Sequence, residues 1–404
     1  MARIERSIVR SLQCALPLAV VTLVGGWERE PPVPTTVTVS PDSVTVTQFR
    51  DFEYDDRAVL LKFYEATGGT GWRTNTNWAT DAPLDTWYGV KTDSRGKVTE
   101  LDLGENSLTG PIPLELLYLQ DLVRLLLHWN GLTGPIHPEF GNLRNLVRLS
   151  LSGNRLTGPI PPELGDLRSL DTLVLHENEL TGPIPPELGN LQELRVLTLS
   201  HNNLASRIPP ELGNLPNLRM LSINSMDWSD RRQLTGTIPP ELGKLQNLED
   251  LRLVGNRLTG TIPPELGNLR RLEKLELAKN QLTGTIPPEF ANLENLKELW
   301  VGDNRLSGPI PPVVGKLRRL RVLGLSENRW SGPIPPEIGG LGSLRRLFVG
   351  FTELSGRLPR ELIGLPLGVF WWQATDLCSP PDDEFQQWLE SIGSNAPNRK
   401  CTSE

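Results

Sequence analysis

Long apolar runs are missing from this 404-residue chain. Beyond its first 26 residues no segment is apolar enough to cross a membrane, which needs about 20 such residues. A basic excess is missing too. The formal net charge is -7, which argues against nucleic acid as a partner, since that requires a basic face. Catalytic signatures are absent: there is no G-x-S-x-G, no H-E-x-x-H, no phosphate-binding loop and no Cys/His pair. The expectation is a binding protein with no enzymatic activity, no cofactor and no metal. Cysteine is scarce, with three in all. Cys14 falls in the leader described next, leaving Cys378 and Cys401 to flank the last segment. In an exported protein such a pair is expected as one disulfide; in a cytosolic one, as two free thiols.

The N-terminus reads as an export signal. Arg3, Arg6 and Arg10 precede the apolar run Cys14 to Gly26, which is too short for a comfortable span. Val24 and Gly26 suit a cleavage site, so residues 1–26 are expected to be a signal peptide. A retained anchor or a misplaced start is the alternative. Residues 27–50 are expected to be a linker. Their Thr36 to Thr47 alternation is strand-like, but one strand cannot bury itself. Residues 51–98 form a different unit, an N-terminal cap. Val59, Leu60, Phe63 and Tyr64 recur at helical spacing before Gly68, Gly69 and Gly71 stop the helix. Trp72, Trp78, Trp87 and Tyr88 follow. They are expected to plug the first hydrophobic layer, with a carbohydrate-binding platform as the sharper alternative.

What is abundant is repetition. A unit near L-x-L-x-x-N-x-L-T-G-x-I-P-P-E-L-G-N-L recurs about every 24 residues across 99–366, roughly eleven times. The 37 glycines and 36 prolines fall at fixed places in it, so they mark turns and not disorder. Leucine pairs such as Leu101/Leu103, Leu149/Leu151 and Leu275/Leu277 predict one short strand per repeat, all in one direction, hence a parallel sheet. Asn106, Asn130, Asn154 and their successors to Asn328 end these strands and predict a ladder of carboxamides inside the turn. Two prolines in I-P-P-E-L-G forbid a long helix and suit a short 3₁₀ turn on the outer, convex side. Residues 367–404 form a C-terminal cap, in which Asp382 and Asp383 begin a helix.

The motif N-x-L-[TS]-G-x-I-P-P-E-L resembles the plant-type extracellular leucine-rich repeat. FYEATGGTGWRTNTNW near residue 63 and LCSPPDDEFQQWLESIG from Leu377 resemble the caps of secreted bacterial and protist members. The resemblance covers residues 51 to 404. It implies an α/β solenoid, a right-handed superhelix with one short parallel strand per repeat and 3₁₀ turns on the convex side. It further implies a secreted or cell-surface recognition protein binding a protein, peptide or glycan on the concave sheet. No kinase domain or membrane helix follows the repeats, so the receptor-kinase role is not expected. The alternatives are adhesion or a structural array, including enzyme inhibition and ice binding. Ice binding would want a regular ladder of like residues, and the concave columns are mixed.

Three surface features stand out. The column between the core leucines runs Asp102, Leu126, Ser150, Val174, Thr198, Ser222, Arg252, Glu276, Trp300, Gly324, Phe348, Trp371. Its end, Trp300, Phe348 and Trp371 with Phe351 nearby, is the first candidate site; the competing reading is that the C-terminal cap folds over these rings. Trp330 takes a core leucine position and is expected to be buried. A second patch holds His128, Trp129 and His176, with Arg124, Arg148, Glu177 and His201. Its histidines sit on different strands, too far apart to share a metal easily. The third feature is a six-residue insertion within 224–233, where Trp228, Arg231 and Arg232 could make contacts.

Overall fold

The computed structural model describes residues 55–225, 233–395 and 399–402, together with the backbone of three short strands before them. The chain divides into two units, residues 1–58 and 59–404. In the first, Ala19–Leu23, Thr35–Ser40 and Ser43–Gln48 form a three-stranded antiparallel sheet. The Thr36 to Thr47 alternation thus belongs to two strands where the sequence suggested one. Pro41-Asp42 between them is the sequence signal for a turn.

The second unit is an α/β solenoid. Twelve parallel strands, Val98–Asp102 to Val369–Trp371, form one sheet. Antiparallel Val90–Thr92 closes one end, and Gly393–Asn395 adds a parallel strand at the other. Core leucines pair repeat to repeat, Leu101 with Leu125 and Leu149 with Leu173, and are fully buried. Burying such a side chain stabilises by roughly 1.5–3 kcal/mol.

One strand per repeat was too few. The L-T-G segment forms a second strand in most repeats, giving flank sheets such as Thr109–Pro111 to Asn203–Leu204 and Thr283–Gly284 to Asp376–Cys378. The reason is backbone accounting: buried N–H and C=O groups need partners, and an extended segment repeated every turn finds them in the next coil. Beside the insertion the described residues of this flank are joined by an isolated Ser206–Leu234 bridge. The concave sheet runs past it unbroken, pairing Met220 with Asp250 and Ser222 with Arg252.

On the convex side each P-P-E-L-G forms a five-residue 3₁₀ turn, such as Pro186–Asn190. A Cβ on Gly189 would lie 2.3 Å from the Glu211 carbonyl oxygen, so close stacking of successive turns requires glycine there. The asparagine ladder is present as expected. The Asn154 carboxamide donates to the carbonyls of Leu127, Leu151 and Ser152 and accepts from the Leu132 N–H. Thr352 and Thr375 replace Asn in the last coils, where each hydroxyl donates to a single carbonyl, Val349 and Trp372.

Aromatic residues close both ends. After α1 (Asp56–Ala66), Trp72, Trp78 and Trp87 are buried and ring-packed in sequence. Their indole N–H groups donate to the carbonyls of Thr67, Tyr88 and Ala82. These three rings are thus packed inside the chain's end, whereas Tyr88, the fourth aromatic of the group, is 43% exposed. At the far end, α2 (Asp383–Ser391) is capped by Asp382, which accepts from the Phe385 N–H. Its Trp388 packs on Phe370, and Cys378 and Cys401 form a disulfide. Arg360 bridges Asp382 and Glu384.

Candidate binding surface on the concave sheet

Strand pairing brings the predicted column into register: Trp300 pairs with Gly324, Gly324 with Phe348, and Phe348 with Trp371. A Cβ on Gly324 would lie 2.4 Å from Trp300 Cε3. Only glycine lets the indole lie across that strand and reach Phe348, on which it stacks at 5.3 Å between ring centroids. Phe348 then meets Trp371 edge-on at 5.4 Å. Trp300 Nε1 donates to Glu298 Oε2 at 3.2 Å, fixing the ring.

Among its described residues the C-terminal cap does not fold over these rings. α2 buries Phe385 and Leu389 and reaches Phe370, which faces the core, while Gly393–Asn395 pairs edgewise with Val369–Trp371. Trp371 is 42% exposed and Phe351 53%; Trp300 and Phe348 are half-buried. Trp330 is fully buried, as expected of a core position. The exposed rings border a cleft of about 260 Å³ floored by Gly302, Ser326 and Gly350.

The cleft's opposite wall was missed by the sequence reading. It is Lys279, Asp303 and Glu327, which continue to Phe351. Each precedes a ladder position and has φ between 53° and 60°. That left-handed conformation costs a non-glycine residue roughly 1–2 kcal/mol, and here the following turn bonds impose it. It throws the side chain toward the concave rim. Reading one position before each ladder asparagine would have found the row.

Upstream lies a charge network. Arg252 pairs with Asp250 at 2.6 Å and reaches Glu276; Lys274 bridges Glu276 at 3.0 Å and Glu298 at 3.3 Å. Burial alone would lower the Lys274 pKa, but the bonds and charges of Glu276 and Glu298 outweigh it and raise it. Burial likewise works to raise the Glu298 pKa, and is outweighed by hydrogen bonds from Trp300 and Lys274 and by the charges of Lys274 and Arg346, so it falls. The carboxylate that orients Trp300 therefore stays ionised.

The second predicted patch is looser. Trp129, 48% exposed, lies against Gly153, and His128 lies over Gly104. His176 Nδ1 is 3.0 Å from Thr198 Oγ1. Burial lowers its pKa, Glu177 opposes this and His201 adds to it. Arg124 pairs with Glu100 and Arg148 approaches Asp171. No group of three metal-ligating side chains occurs among the described residues. Trp228, Arg231 and Arg232 lie outside the described residues.

The sequence matches the leucine-rich repeat region model over residues 101–261 and leucine rich repeat models over 246–306 and 319–341. No curated protein matches it. The chain is similar to the Arabidopsis receptor kinase HAESA, solved in complex with the peptide hormone IDA and the co-receptor SERK1. Identity is 30% and the TM-score 0.65, over 80% of this chain and 58% of that one. It is also similar to PEPR1 in the PEPR1-AtPEP1 structure, at 27% identity and TM-score 0.61, over 84% and 54%. A third similar structure is a plant ice-binding protein, at 26% identity and TM-score 0.53, over 87% and 96%. The chain thus spans a little over half the length of the two receptor structures.

Proposed function

Because this chain belongs to the leucine-rich-repeat proteins, we propose that it is an exported recognition protein whose concave sheet holds a protein, peptide or glycan. The chain is a binding protein and not an enzyme, in keeping with its repeat family and its peptide-bound structural neighbours. The observation that carries the concave assignment is the aromatic cleft: half-buried Trp300 stacks on half-buried Phe348, which packs edge-on against exposed Trp371, with exposed Phe351 on the facing wall. Exposed aromatics in a preformed cleft are the usual anchors of an interface, and rigidity reduces the entropy lost on binding. Export rests on the Cys378–Cys401 disulfide, which suits an oxidising compartment. The leader at 1–26 and the linker at 27–50 are part of the same proposal. No helix among the described residues is long and apolar enough to cross a membrane.

The test is a screen of the full chain against peptide, glycan and protein arrays, with Trp371→Ala alongside. The variant should lose a hit by about 2 kcal/mol or more at unchanged melting temperature. Hits that ignore Trp371→Ala and Phe351→Ala would remove the site from the cleft.

A second reading, adhesion to an ordered surface such as ice, is favoured by the flank and not by the concave face. Thr235, Thr237, Thr259, Thr261, Thr283 and Thr285 are all exposed at equivalent places in three successive coils. Thr259 and Thr283 hydroxyls donate to Gly236 and Gly260 of the preceding coil, which aligns the row. Thermal hysteresis, abolished by Thr261→Tyr, would establish this reading; ordinary freezing of the wild-type solution would remove it.

A further inference from the structure

The cleft differs from the charge network beside it in one respect that bears on the ligand. Asp250, Glu276 and Glu298 are each matched by Arg252 or Lys274 within 4.0 Å. Asp303 and Glu327 share the cleft wall with Lys279 and make no salt bridge among the described residues. Phe351 follows Glu327 one coil on along the same wall, and Trp371 stands in the facing column; both rings are exposed. Aromatic faces attract a cation through their quadrupole, and carboxylates do so by charge. A site that combines the two, with two acids against the single cation Lys279 among the described residues of its wall, is complementary to a guest that brings positive charge.

Size narrows the guest. At about 260 Å³ the cleft lies below the roughly 300–1,000 Å³ of pockets that enclose whole small molecules. It has room for one long side chain. Its floor of Gly302, Ser326 and Gly350 is open along the sheet, so the chain bearing that side chain can continue over the neighbouring strands.

Resting on the concave-face reading above, we propose that the cleft is a cation-accepting subsite, taking an arginine or lysine side chain of an extended peptide. The guanidinium or ammonium lies between Trp371 and Phe351, with Glu327, one coil before Phe351, as its nearer counter-ion and Asp303 adding negative charge further along the wall. Glu298 is a positioning residue: it holds Trp300, which stacks on Phe348, and Phe348 in turn meets Trp371.

The experiment is isothermal titration of the full chain with hexaarginine amide, hexaglutamate and neutral cellohexaose, with tryptophan emission followed in parallel. Hexaarginine amide should bind and change the emission; hexaglutamate should not bind. The double variant Asp303→Asn/Glu327→Gln should weaken hexaarginine binding by about tenfold. Glu163→Gln/Glu187→Gln, the same charge change on exposed convex turns, should leave it unaltered. Equal losses in the two double variants would mean general attraction to an acidic protein and would overturn the subsite. Binding of cellohexaose without hexaarginine amide would overturn the cation while leaving the cleft as the concave site. If Trp371→Ala also spared every array ligand, the cleft itself would fall with it.

Discussion

The two ends of the solenoid each carry a cluster of tryptophans, yet the clusters are built to opposite rules. In the N-terminal cap, Trp72, Trp78 and Trp87 are 5%, 4% and 1% exposed, and every indole N–H finds a backbone carbonyl within the cap. At the C-terminal end of the concave sheet, Trp371 and Phe351 keep about half of their surface in water, although a cap is close by. A buried ring with a satisfied N–H closes a core. A held ring with an open face is available to a partner. Composition cannot separate these two uses of the same residue; burial and hydrogen bonding can.

Five measurements would break or sharpen that contrast. Trp87→Ala should have the largest effect, costing about 3–5 kcal/mol in chemical denaturation, because its cavity opens at the end of the core. A neutral result would mean that the cap does not seal the array. Removing the disulfide with Cys378→Ser/Cys401→Ser should cost about 2–4 kcal/mol, read as faster hydrogen exchange in α2. Protection unchanged there would assign the cap's stability to Arg360 and the Phe370–Trp388 contact alone.

Gly324→Ala should cost about 1–3 kcal/mol by overpacking and shift tryptophan emission to the red, since its Cβ displaces the Trp300 ring. Unshifted emission would show that Gly324 is not what seats that ring. A pH titration should come next. The folded Glu298 pKa is lowered from 4.5, so its contribution is complete above 4.5 and is lost as pH falls through the lowered value. With a side chain 36% exposed, solvent screening holds the stability effect below about 1 kcal/mol. Tryptophan emission should change over that acidic window and not in Glu298→Gln. Last, Trp371→Ala should alter stability by no more than about 0.5 kcal/mol. A larger loss would make the ring part of the core and erase its distinction from the cap.

Much of this was legible in the residues. Leucine spacing, the Asn ladder, the 3₁₀ turns and the cysteine pair each follow from one local requirement, and a repeat states that requirement many times over. The column Trp300, Gly324, Phe348, Trp371 was also readable, because in-register stacking turns sequence offsets into neighbours. Elsewhere the reading fell short. The flank strands at L-T-G were missed because two residues either side of a glycine carry little strand signal until the next coil supplies partners. The row Lys279, Asp303, Glu327 was missed because a left-handed backbone redirects its side chains, and no alternation of polar and apolar residues announces that.

The sequence by itself determined the architecture. A period near 24 with leucines at constant offsets leaves stacking as the means to bury them, and stacking sets register, direction and the faces of each coil. Only the tertiary structure decided which aromatics are core and which are surface. That outcome depends on how far each cap extends over the end of the sheet, and on a glycine at 324 letting one ring cross a strand to reach Phe348, which in turn meets Trp371. These are distances between separate coils, and a linear period does not contain them.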